Sequence, residues 1–212
     1  MISIEEALDK ILSYVDVLEP GQKPILESMG QVLAQDVYSH IDVPPLDNSA
    51  MDGYAVQSAS TTGASELNPT TLKVIGEVAA GSISDKIVGP GTAIRIMTGA
   101  PIPAGADTVV QFENTDEEIR SSSGKPLDEI GALHETPPDL NIRRAGEDIK
   151  KGDLILKKGI VIRPQEVGLL ASLGRATVAV IRRPVVAVLA TGDELVNVGE
   201  PLGAGKIYNS NT

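Results

Sequence analysis

Near the start of the chain apolar residues recur at helical spacing. Ile4, Ala7, Leu8, Ile11, Leu12 and Val15 fall on one face and predict a helix over residues 3–18. Ser3 with Glu6 three residues later forms a capping box, and Pro20-Gly21 stops the run. A shorter helical piece is expected from Ile25 to Ala34 despite Gly30, and residues 36–41 read as extended. From about 46 to 142 the period changes. Short β-rich runs at 72–75, 93–97 and 108–112 are punctuated by Gly and Pro, which predicts a compact β-barrel or sandwich. Residues 58–70 and 114–141 look like long surface excursions, too polar to form a core of their own.

Beyond residue 142, Leu154-Ile155-Leu156 and Ile160-Val161-Ile162 flank a Lys-Lys-Gly turn and suggest a hairpin. Pro164 suits the first turn of a helix, which Val167, Leu170, Ala171 and Leu173 extend to Gly174. A strand is expected over Thr177–Ile181. Another is expected over Val185–Ala190, whose unbroken apolar run suits a strand buried on both faces of a parallel α/β sheet. Such a sheet needs crossover helices and further strands. The expectation is therefore an N-terminal part of a longer protein, ending in a third domain that has only begun.

Composition narrows the classes. Hydrophobic residues make up 42% of the 212, but aromatics only 2%, so Val, Ile, Leu and Ala must fill the core. A net charge of −11 leaves no basic stripe to release counterions, which argues against nucleic acid as a partner. The absence of cysteine excludes disulfides, thiolate catalysis and Cys-type zinc sites. His40 and His134 stand in unrelated surroundings, which disfavours a His-based metal site or a Ser-His-Asp triad. No signal sequence is visible and no segment approaches the roughly 18 apolar residues of a membrane span. The expectation is a soluble, cytoplasmic protein with no membrane partner.

Four polar constellations carry the candidate chemistry. The first is the turn from Pro44 to Tyr54, where two prolines fix φ around Asp47, Asn48, Ser49 and Asp52. The second, Met97-Thr98-Gly99-Ala100-Pro101, follows a predicted strand. The third is Gly146-Glu147-Asp148 behind Arg143-Arg144, and the fourth is Thr191-Gly192-Asp193-Glu194. Turn and cap chemistry alone can explain each one, but Thr191–Glu194 follows a predicted buried strand, where open α/β sheets bind ligands. A P-loop is ruled out because Ile207 follows Gly205-Lys206. There is no Gly-x-Gly-x-x-Gly or Gly-x-Ser-x-Gly motif either.

Taken in order, these segments resemble the molybdopterin molybdotransferases of molybdenum cofactor biosynthesis. The carriers are Asp47-Asn48-Ser49-Ala50-Met51-Asp52-Gly53-Tyr54-Ala55, Arg95-Ile96-Met97-Thr98-Gly99-Ala100-Pro101, Gly105-Ala106-Asp107, Gly146-Glu147-Asp148 and Leu170-Ala171-Ser172-Leu173-Gly174. Thr191-Gly192-Asp193-Glu194-Leu195 and Ile207-Tyr208-Asn209-Ser210-Asn211 complete them. The resemblance implies a multidomain α+β fold. A split helical and extended first domain would cover 1–45 and 143–180, a β-rich barrel-like second domain 46–142, and the start of an α/β molybdopterin-binding third domain 181–212. It implies a homodimer that acts with other cofactor-biosynthesis proteins, including one for the adenylyltransferase step. The implied reaction inserts molybdate into adenylylated molybdopterin, releasing AMP, with Mg²⁺ as the divalent cation.

By motif match the catalytic residues would be Asp52, Thr98, Asp148 and Glu194. Cofactor-binding residues would be Asn48, Ser49, Gly99, Thr191, Gly192 and Asp193, with no metal ligand assigned. Carboxylates beside anionic substrates repel unless a cation intervenes, and Mg²⁺ is one such cation. The Thr98 hydroxyl and the Gly99 amide are candidate donors to an oxyanion. The chain by itself is not expected to turn over. A scaffold, since animal members of the family also cluster receptors, and a non-catalytic molybdopterin carrier are the alternatives.

Overall fold

A computed structural model of the chain describes residues 2–211. It is mostly β with few helices. The helices are α1 (Ile4–Leu12), α2 (Glu117–Ser122) and α3 (Pro164–Ser172). The strands are β1 (Pro20–Pro24), β2 (Val37–Tyr38), β3 (Asn48–Ser49), β4 (Gly53–Val56), β5 (Thr70–Val78), β6 (Thr92–Ile96) and β7 (Thr108–Gln111). They continue with β8 (Glu129–Ala132), β9 (Ile142–Arg143), β10 (Leu154–Leu156), β11 (Thr177–Ile181), β12 (Leu195–Val196) and β13 (Ile207–Tyr208). Contacts divide the chain into two compact units, one of residues 1–35, 158–171 and 175–212, the other of 36–157 and 172–174.

The second unit is built on a five-stranded sheet in the order β7-β4-β6-β5-β8. β5 and β6 run parallel and the other pairs antiparallel. The sheet is an open half-barrel, not a closed one. β4 is buried along its whole length, so alternate side chains serve two cores. Tyr54 and Val56 join Leu72, Ala93, Val110, Ile130 and Ala132 on one face. Ala55 joins Val78, Val88, Ile94, Ile96 and Val109 on the other. The aliphatic character expected from composition holds, with Tyr54 and Phe112 as an edge-to-face aromatic pair, centroids 5.6 Å apart.

In the first unit β1 pairs antiparallel with β11, and Leu33 and Val32 bridge to Val180 and Val161. Leu33, Ile162, Leu170 and Val180 are buried there. α1 begins on the expected capping box, Ser3 Oγ accepting from the Glu6 amide and Glu6 Oε2 from the Ser3 amide. It ends at Leu12, and none of its residues is buried.

Four local expectations are corrected. The helix expected at 25–34 is one 3-10 turn, Ile25–Glu27, because Gly30 (φ +76°) turns the chain and Gln31 and Leu33 bond across to Ile162 and Ile160. Residues 154–156 and 160–162 are not a hairpin: β10 pairs with β2, and Val161 bridges to Val32. The 114–141 excursion contains β8, whose Ile130 and Ala132 are fully buried at the sheet edge. Finally, 185–190 is neither strand nor buried. Val185, Val186 and Leu189 are exposed, and among the described residues no strand pairs with this segment.

Candidate functional site

The turn at 44–54 lies as a strip between two other loops of the β-rich unit. On one side Ser49 exchanges main-chain bonds with the 97–103 loop: its amide donates to Ala100 O (3.0 Å) and its carbonyl accepts from Gly99 (2.8 Å). On the other side β3 pairs with β9, Asn48 opposite Arg143, and the Gly146 and Asp148 amides donate to Pro44 O (2.9 Å) and Val43 O (3.0 Å). Three constellations far apart in sequence thus share one hydrogen-bonded junction. The fourth, Thr191–Glu194, belongs to the other unit and is exposed. There the Leu195 amide closes a turn on Gly192 O (3.1 Å), and Lys206 Nζ donates to Asp193 O.

Side chains knit the junction. Asp52 Oδ1 accepts from both the Thr98 amide (2.7 Å) and the Thr98 hydroxyl (2.8 Å). The amide first, then the hydroxyl, with a contribution from the Arg95 charge, hold the Asp52 carboxyl below its ordinary value of 3.8. Asp47 Oδ1 accepts from the Ala145 amide (2.7 Å), and its other oxygen pairs with Arg144, which also pairs with Asp139. The Ala145 amide and then Arg144 hold Asp47 below 3.8 as well. Arg143 pairs with Asp148.

The chemistry follows from these assignments. Asp52 is an ionised carboxylate with one oxygen locked by two donors. The two Thr98 donors fix the direction in which this carboxylate can accept further hydrogen bonds. The two donors proposed for an oxyanion are engaged within the protein, the Thr98 hydroxyl by Asp52 and the Gly99 amide by Ser49. Ser49 Oγ is turned onto its own loop, donating to Met51 O and accepting from the Met51 amide at 3.3 Å. Asn48 Oδ1 is buried without a hydrogen-bond partner, an acceptor still to be satisfied. Asp148, Asp47 and Asp139 are each matched by an arginine, and among the described residues no three His, Cys, Asp or Glu side chains converge to hold a cation.

Sequence reasoning missed Arg144 and Arg95. Arg144 reads as part of a solvated pair, and its partner Asp47 is 97 positions away, a separation that leaves no local signal. Arg95 sits inside a matched motif, but only the fold shows that Glu77, Glu117 and the Phe112 ring hold its guanidinium.

Comparison with known proteins gives consistent matches. Residues 2–174 match the family model described as the MoeA N-terminal region, domains I and II. The chain is 43% identical over 211 residues to a molybdopterin molybdenumtransferase of Staphylococcus aureus, covering 99% of this chain and 48% of that protein. It is 40% identical over 210 residues to the protein of the same name from Bacillus subtilis, again covering 48% of it. The crystal structure of a molybdopterin biosynthesis moeA protein from Pyrococcus horikoshii superposes with a TM-score of 0.83 at 37% identity, covering all of this chain and 54% of that one. The chain therefore spans about half the length of the relatives it matches.

Proposed function

The chain belongs to the MoeA N-terminal region family, and from that premise we propose that it works in molybdenum cofactor biosynthesis as part of a molybdopterin molybdotransferase. The reaction is insertion of molybdate into adenylylated molybdopterin with release of AMP. The observation that carries this reading is the Asp52–Thr98 pair. Two donors from one residue fix one carboxylate oxygen at a junction where three motif segments are bonded together. Asp52 orients a hydrogen-bond donor of the substrate, and Thr98 orients Asp52. Arg143 pairs with Asp148, and Arg144 with Asp47 and Asp139, which ties the 44–54 turn to residues 139–148.

Mg²⁺, which the family reading implies, is not matched by a convergent ligand set among the described residues, and no step is routed through it. Glu194 is read as a further catalytic residue, and Thr191, Gly192 and Asp193 beside it as binding residues for the pterin substrate. Homodimerisation is supported by α1, whose Ile4, Leu8, Ile11 and Leu12 leave an apolar stripe uncovered. No helix among the described residues is long and apolar enough to cross a membrane.

The test is Asp52→Ala in the whole enzyme, with AMP release and molybdate insertion measured separately. A fall of at least about a hundredfold in both is expected for loss of an orienting group. Wild-type rates would remove Asp52 from the mechanism. A carrier without catalysis would bind molybdopterin and release no AMP in either form.

A further inference from the structure

Arg95 stands on β6 three residues before Thr98, directly opposite Tyr54 on β4, and Tyr54 lies two residues after Asp52. Its guanidinium is held on several sides. Glu117 of α2 lies at 3.1 Å and Glu77 of β5 at 3.3 Å, and the Phe112 ring centroid is 4.5 Å away. The Phe112 ring in turn packs edge-on against Tyr54.

The Tyr54 hydroxyl, Arg95 Nε and Glu117 Oε2 are buried together at the centre of this cluster, and burial, followed by the Glu117 carboxylate, pushes the Tyr54 hydroxyl well above its ordinary value. Ion pairs taken out of water are costly to desolvate, and apolar side chains of similar volume often pack as well in their place.

The cluster's contacts lead to the candidate site by two routes. The first is mechanical: the Phe112 amide donates to the Asp52 main-chain carbonyl at 3.2 Å, so the ring beneath Arg95 and the bond to Asp52 belong to one residue. The second is electrostatic: the Arg95 charge adds to the two Thr98 bonds in holding the Asp52 carboxyl below its ordinary value, while Glu77 and Glu117 partly neutralise it. We propose that Arg95 is a positioning residue for the Asp52–Thr98 pair, acting through Phe112 and through its own fixed charge without touching substrate. The proposal rests on the reading of Asp52 as the working carboxylate, but its geometry is independent of which reaction the site performs.

Glu77 from β5, Glu117 from α2 and Tyr54 from β4 are the titratable groups facing Arg95. Thr98 donates to Asp52 through its amide and its hydroxyl, and Arg95 is the charged group that acts on it. The experiment is an NMR titration of the intact chain that follows the Asp52 carboxyl carbon and the Thr98 amide proton. It compares wild type with Arg95→Gln, Arg95→Lys and Glu117→Gln.

Arg95→Gln should move the Asp52 midpoint to higher pH and weaken the downfield shift of the Thr98 amide. Glu117→Gln, which leaves Arg95 less neutralised, should move the midpoint the opposite way. Arg95→Lys should restore the midpoint but not the Thr98 shift, because a point charge lacks the planar fork that stacks on Phe112. A merely structural Arg95 would lower the melting temperature and leave the Asp52 midpoint where it is in all folded variants, and that result overturns the proposal. If Arg95→Gln does not fold, an unmoved midpoint in Glu117→Gln overturns it alone. Wild-type turnover in Asp52→Ala would refute the functional reading and leave this titration unaffected, so the two failures are distinguishable.

Discussion

At Gly53 the backbone has room for a hydrogen and nothing larger. A Cβ there would lie 2.0 Å from the Val110 carbonyl oxygen and 2.9 Å from its carbon, both parts of the neighbouring strand. This close approach of β4 to β7 lets the chain leave Asp52 and enter the sheet at once. Gly99 is a glycine for a different reason: its φ is +82°, with open space around the missing side chain. The two should separate on substitution. Gly99→Ala should cost about 1–2 kcal/mol of backbone strain, while Gly53→Ala should cost about 4 kcal/mol or more, or prevent folding. Urea unfolding of both variants checks this, and a Gly53→Ala chain within about 1 kcal/mol of wild type would show that β4 and β7 can separate.

Among elements, the tie between the 44–54 turn and the 142–148 loop depends on ionisation. The folded carboxyl of Asp47 lies below its ordinary value of 3.8, held first by the Ala145 amide and then by Arg144. The stability it adds is therefore fully present above that value and is lost as pH falls through the lower folded value. Asp47→Asn should unfold more easily than wild type at neutral pH, and the difference should shrink once the pH drops below about 3.8. Thermal unfolding of the two proteins across that range measures it, and a difference independent of pH would remove the ionic part.

This tie also shows where the sequence stops being legible. Features set by neighbours in the chain were readable: the Ser3–Glu6 cap, Pro164 opening α3, and the runs that became β6, β7 and β11. Pairings between distant segments were not. Nothing near Leu154 says that its partner is Tyr38 and not Val161, and the polar 114–141 stretch hides a four-residue strand. The same holds at the site. Motif order named Asp52 and Thr98, but only the fold shows that one accepts two bonds from the other.

For the molecule as a whole, the contest is between charge and exposed apolar surface. The Val185–Ala190 run leaves Val185, Val186, Val188 and Leu189 in solvent, and α1 adds Ile4, Leu8, Ile11 and Leu12. Such surface favours association, and at pH 7 a net charge of −11 opposes it. The opposition fades as the pH approaches the isoelectric point of about 4.6. Light scattering should therefore rise towards that pH, and the dye ANS should bind at neutral pH. The double substitution Val186→Ser with Leu189→Ser leaves the net charge unchanged and removes two large exposed side chains. It should lower both signals without shifting the melting of the five-stranded sheet, because neither residue is part of its core. If scattering near pH 4.6 stays at the wild-type level, the run is not the adhesive surface and the uncovered face of α1 becomes the segment to substitute next.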